Sequence, residues 1–255
     1  MTLTMSDQLY LSLWYPNFRL ESLPSALTGV LRQFATVAGE GKPGSLFGRV
    51  WAASAFPIDW TESPTYQRIF VNDTRSDDTA DTDDAIIENA VAEATEQLHE
   101  DVAYEFEMRW LLWLPSDMKS IASESERSTG HLDIDIEDEE DARPSNLITM
   151  PAAKPSRWKL EPARVRIAGF GPEFDAGAYD QNGQVRVEFG LDTPWVQEEE
   201  ELSRQDAAKI QQNIEKLLAF TLLIEKHCGI SSRLLWTESG EPLAEKLIAR
   251  LQRLN

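Results

Sequence analysis

The chain has one cysteine, Cys228, and three histidines among its 255 residues. A single thiol closes no internal disulfide and builds no Cys-rich zinc site, so the fold must rest on its apolar core. A chain without a disulfide framework is expected in a reducing compartment, here the cytoplasm. No run of about 18 apolar residues occurs, so no helical membrane span is expected. Residues Met1 to Gln8 have neither a basic nor an apolar stretch, so no signal peptide is expected. Bases are scarce too: 24 Lys and Arg face 44 Asp and Glu, giving a formal net charge of -20. That charge repels phosphates and anionic headgroups, which argues against nucleic acid and membrane surfaces as partners. Basic proteins, metal cations and small neutral ligands are left.

Catalytic signatures are also missing. There is no Gly-x-Ser-x-Gly elbow among the serines. Gly39-Glu-Gly41-Lys42-Pro43-Gly44-Ser45 evokes a phosphate loop, but it follows a predicted helix and places proline after Lys42, where Ser or Thr is needed. Gly169-Phe170-Gly171 precedes Pro172, where no helix opens, so it reads as a strand bend and not a dinucleotide site. His227 precedes Cys228, yet neighbours on a helix point about 100° apart, and a helix C-terminus disfavours a thiolate. His131, Asp133 and Asp135 alternate toward one face of an extended segment, but the segment lacks the glycine and distal glutamate of a calcium loop. Glu105 and Glu107 share one face of a predicted strand about 7 Å apart, a spacing that suits acid–base work and equally a solvated face beside Arg109. No cofactor or metal is assigned.

What the sequence has is acid in three places. Residues 73–101 carry eleven acids against one arginine, residues 117–141 ten against Lys119 and Arg127, and residues 192–201 five against none. The rest of the chain is close to neutral. Asp133, Asp135 and the run Glu137 to Asp141 form a block that repels itself, so residues 116–156 are expected to be a disordered loop. A basic stretch follows (Arg143, Lys154, Arg157, Lys159, Arg164, Arg166), onto which that loop could fold. Part of the first cluster has a local cause, since Asp81, Asp83 and Asp84 stand where a helix dipole favours them.

Periodicity gives the elements. Leu9, Leu11, Leu13 and Tyr15 alternate with Tyr10, Ser12 and Trp14, which predicts a strand. Leu23, Leu27, Val30, Leu31, Phe34 and Val37 recur at helical spacing behind a capping Ser22. Strands over 46–56 and 66–71, a helix over 82–100 and a long strand over 103–114 complete a β-α-β-β-α-β order, that of a ferredoxin-like unit. The second half predicts a strand over 163–170, a hairpin turn at Asn182-Gly183 and a strand through Val185, Val187 and Phe189. A long helix follows, capped by Ser203 with Asp206, then a short strand at 234–236 and a last helix opened by Pro242. The expected fold is α+β: antiparallel sheet covered by helices, with a half over 1–115, the acidic loop over 116–156 and a β-β-α-β-α half over 157–255.

Two aromatics stand in acid-rich loops. Trp195 lies beside Pro194 and before Glu198, Glu199, Glu200 and Glu201, and Trp60 lies between prolines with Asp59 and Glu62 near it. Each can anchor a basic partner or plug the end of a sheet. The expectation is a non-enzymatic acidic binding protein of the inhibitor, immunity or adaptor type. It would engage a basic protein partner through Trp195, Glu198–Glu201, Trp60 and Asp59. The alternatives are a structural subunit of a larger assembly and an enzyme with an unrecognised carboxylate site.

Overall fold

A computed structural model describes residues 7–39, 47–57, 67–71, 83–115, 158–174, 182–195 and 203–239, together with Leu243 and Leu247. Seven strands and three α-helices lie within these residues. In chain order they are β1 (Gln8–Trp14), α1 (Leu23–Ala38), β2 (Ala52–Pro57), β3 (Gln67–Val71), α2 (Asp83–Ala94) and β4 (Val102–Pro115), then β5 (Trp158–Phe170), β6 (Val185–Leu191), α3 (Arg204–His227) and β7 (Ser232–Thr237). The fold is α+β, and the β-α-β-β-α-β chain order of the first half is present. The expected last helix falls outside the described residues, apart from the buried side chains of Leu243 and Leu247.

The strands form one sheet in the order β3-β2-β4-β5-β6-β1-β7. Every neighbouring pair is antiparallel. Both halves contribute to it, because β4 pairs with β5 from Ala103↔Phe170 to Pro115↔Trp158. The spatial order is not that of a ferredoxin-like unit: β1 leaves its own half and lies between β6 and β7. Chain order alone does not decide this, since α1 is a crossover long enough to carry the chain past β6, β5 and β4.

The helices cover one face. α1 packs against α2, α3, β4 and β5, while α2 sits on β2 and β3. Period-two burial in the strands meets period-3.6 burial in the helices. Leu9, Leu11 and Leu13 of β1 are fully buried, as are Phe106, Met108 and Trp110 of β4, Val165 and Ile167 of β5, and Val187 of β6. They join Leu27, Val30, Leu31 and Phe34 of α1 and Ile210, Ile214, Leu217, Phe220 and Ile224 of α3 in a single core cluster. Its centre is aromatic: Phe34 stands 5.2 Å from Trp110 and 5.5 Å edge-on to Phe220. Gly169 lets α1 approach β5, because a Cβ there would lie 2.6 Å from the Leu23 side chain.

Two local expectations need correction. Asn182-Gly183 does not join β5 and β6 by a tight turn. The strands pair as predicted, from Arg166↔Glu188 to Gly169↔Val185, but residues 171–184 separate them. Gly183 has φ +86°, and a Cβ on it would lie 2.7 Å from the Leu13 carbonyl oxygen. The glycine serves a close approach to β1 and not a hairpin. Ser22 precedes α1 but makes no side-chain capping bond, because a 3-10 turn over Leu20–Ser22 leads into the helix. Ser203 does cap α3, accepting from the Asp206 amide at 3.1 Å.

Candidate functional site

Alternation places Glu105, Glu107 and Arg109 of β4, Arg164 and Arg166 of β5, and Arg186 and Glu188 of β6 on the face opposite the described helices. The register makes them a checkerboard. Arg166 stands opposite Glu107 on one side and Glu188 on the other. Arg164 and Arg109 are directly opposed like charges, an unfavourable cross-strand pair. Glu107 relieves it by reaching Arg164 at 2.8 Å and Arg109 at 3.7 Å. Glu188 takes Arg166 at 3.0 Å and Arg186 at 2.9 Å, and Glu105 lies 3.8 Å from Arg166. The network is layered. The three glutamates are 14–16% exposed, whereas the arginines range from 24% for Arg186 to 57% for Arg164. Burial raises the Glu105 carboxyl above its usual range, with the Arg166 charge opposing the rise.

Aromatic rings border this network. The Arg186 guanidinium lies between the rings of Tyr10, at 5.4 Å, and Phe170, at 5.0 Å. Tyr10 in turn stacks on Trp236 at 4.7 Å, and Phe170 on Phe174 at 5.3 Å. On the other side, Arg109 stacks over Trp51 at 4.4 Å. Leu234 of β7 and Leu160 of β5 sit on the same face, 50% and 47% exposed.

The sequence-predicted positions separate. Trp195 is fully buried, packed 6.1 Å from both Trp110 and Phe189. Its indole N–H donates to the Asn213 carbonyl at 3.2 Å. It plugs the end of the sheet, the second of its two sequence readings, and is not a surface anchor: the loop turns inward because α3 offers it an acceptor and an apolar wall. Trp60, Asp59 and Glu198 to Glu201 lie outside the described residues, as do His131, Asp133, Asp135 and the Glu137–Asp141 run. Glu105 and Glu107 do share a face, but each is engaged by arginine. The residue that periodicity missed is Asn213, a buried amide in the apolar stripe of α3. It accepts from the Trp113 amide and donates to the carbonyls of Trp113 and Pro194.

A groove of about 850 Å³ is lined by Tyr15, Phe18, Ser25, Gly29, Arg32 and Cys228. Burial raises the Cys228 thiol to about 11, so it stays protonated at neutral pH and is a poor nucleophile. Among the described residues, no group of His, Cys, Asp and Glu could hold a metal ion. No described helix is long and apolar enough to cross a membrane.

Strand direction also places the acids. Antiparallel pairing throughout sends β1, β2 and β5 one way and β3, β4, β6 and β7 the other. Acid-rich chain follows β3, β4 and β6, although Glu96, Glu100 and Asp101 of the first stretch stand just before β4, at the opposite end. The chain therefore departs into all three from one end of the sheet, at Val71, at Pro115 and after Leu191. No protein-family model, no curated protein and no solved structure matches this chain.

Proposed function

We propose that this is a non-enzymatic binding protein whose acidic connections jointly engage a basic protein partner. The observation that carries the reading is the common polarity of β3, β4 and β6. The second and third acidic segments and the first four acids of the first (Asp73, Asp77, Asp78 and Asp81) leave the sheet from one end, where their fields would add, whereas Glu96, Glu100 and Asp101 lead into β4 at the other. Summed charge of one sign raises association rates and selects against partners of the same sign. An inhibitor or immunity protein that presents carboxylates where a nuclease expects phosphates is the sharpest form of this reading. Glu198 to Glu201 remain the proposed contacts, with Asp59 and Trp60 as further candidates. Trp195 is not among them, since its ring belongs to the core.

The test begins with a pull-down from the native host at low ionic strength, followed by association kinetics with the partner so identified. Replacing Glu198, Glu199, Glu200 and Glu201 by glutamine should slow association several-fold, while the melting temperature and the dissociation rate change little. The wild-type association rate should fall steeply with added salt. An on-rate indifferent to both salt and the four substitutions sinks the proposal.

A further inference from the structure

We propose that the sheet face opposite the described helices is a second docking surface, and that it takes an extended, carboxylate-bearing segment of a partner protein. This goes beyond the basic-partner reading and uses a different part of the molecule. The layering is the first argument. Arg109, Arg164, Arg166 and Arg186 stand above Glu105, Glu107 and Glu188, so an approaching chain meets guanidinium groups and not the carboxylates beneath them. The second argument is a count of donors. Four guanidiniums bring about 20 N–H donors against about 12 lone-pair sites on three carboxylates, so the face is short of acceptors.

Composition agrees. With Glu238, whose charge acts on Tyr10 beside those of Glu188, Arg186 and Arg166, the face is balanced in a chain of net charge -20. Arginine and aromatic rings are the groups enriched where proteins dock, and here Tyr10, Trp236 and Trp51 border the arginines. Carboxylate recognition by arginine is bidentate and favours side chains that alternate toward one side, as on an extended segment. The face would act at physiological ionic strength, where a Debye length of about 8 Å screens charges that lie farther away. A protein with an acidic end and an arginine-topped face is an adaptor, able to hold two partners of opposite charge.

The probe is a capped eight-residue peptide alternating aspartate and threonine, titrated into the full chain at about 0.15 M ionic strength. Its control is the same peptide with asparagine in place of aspartate. Amide shifts are expected on β4, β5 and β6, around Glu105–Arg109, Arg164–Arg166 and Arg186–Glu188, with saturation for the aspartate peptide only. Arg164→Gln combined with Arg109→Gln should weaken binding by about tenfold or more, the scale of a lost charge-assisted hydrogen bond. The association rate with the basic partner should not change. Equal binding of both peptides, shifts confined to the helices, or no saturation would overturn the proposal. If the double variant fails to fold, the peptide pair on the wild-type chain still decides. Two other occupants are separable. A tenfold gain in affinity on converting Asp133, Asp135 and Glu137–Asp141 to amides would assign the face to the chain's own acidic segment. Concentration-dependent dimers lost in Arg164→Gln would assign it to a second copy. Either result overturns the partner proposal.

Discussion

Tyr15 follows the first strand with its hydroxyl buried and without a hydrogen-bond partner among the described residues. Burial keeps this phenol protonated well above the usual tyrosine range. Its backbone is satisfied, since the Tyr15 amide donates to the Gln184 side chain at 2.7 Å. An orphaned buried hydroxyl has lost its water without gaining an acceptor, so removing it should cost no hydrogen bond. Tyr15→Phe is therefore expected to leave stability unchanged or raise it by up to ~1 kcal/mol, measured by urea unfolding. A loss above about 1 kcal/mol would mean that the hydroxyl is bonded after all. Trp195 is the opposite case at the same scale. Proline and four glutamates around it suggest a solvent-facing loop, and nothing local distinguishes an anchor from a plug. What decides is the Asn213 carbonyl and the Trp110–Phe189 wall, both supplied by chain remote from it.

At the scale of elements, alternation and helical spacing were legible wherever one face is buried. Leu9, Leu11 and Leu13 announce β1, and the Glu105–Glu107–Arg109 alternation announces which side of β4 is uncovered. Legibility stopped where one element depends on another. Pairing of β1 with β6 and β7 follows from a crossover, and no residue in β1 encodes its neighbours. Asn213 was hidden for a related reason: at helical spacing it reads as an interruption of the apolar stripe. In the fold it is the joint between α3, the end of β4 and the turn at Pro194, because unpaired backbone groups there need a buried donor and acceptor. Asn213→Ala should leave the Trp113 amide and two carbonyls without partners and cost about 2–4 kcal/mol. The control is Gln212→Ala, which loses one exposed bond to the Trp113 indole and should cost under ~1 kcal/mol. Equal costs by urea unfolding would mean that Asn213 is not the joint.

For the whole molecule, the decisive property is that one sheet carries both halves and sorts the connections by strand direction. Three acidic stretches look independent in the sequence, and only the register shows that the chain leaves for all three from one end of the sheet. The largest of them, residues 116–157, bridges β4 and β5 where Pro115 and Trp158 are already paired. The two ends of this connection are thus held by the ladder itself, and a short turn can replace it. Closing a loop costs about 1.5 RT times the logarithm of its length, so exchanging this connection for a four-residue turn should stabilise the fold by ~2 kcal/mol if the segment makes no contacts. The expected result is a rise in the urea midpoint with little change in the denaturant slope. Association with the proposed basic partner should slow at the same time, because the ten carboxylates of this stretch are gone. A chain that fails to fold, or one that folds and associates as fast as before, would separate two errors. The first would make residues 116–157 part of the structural core. The second would leave the acidic end without a part in recognition, however firmly strand polarity gathers it.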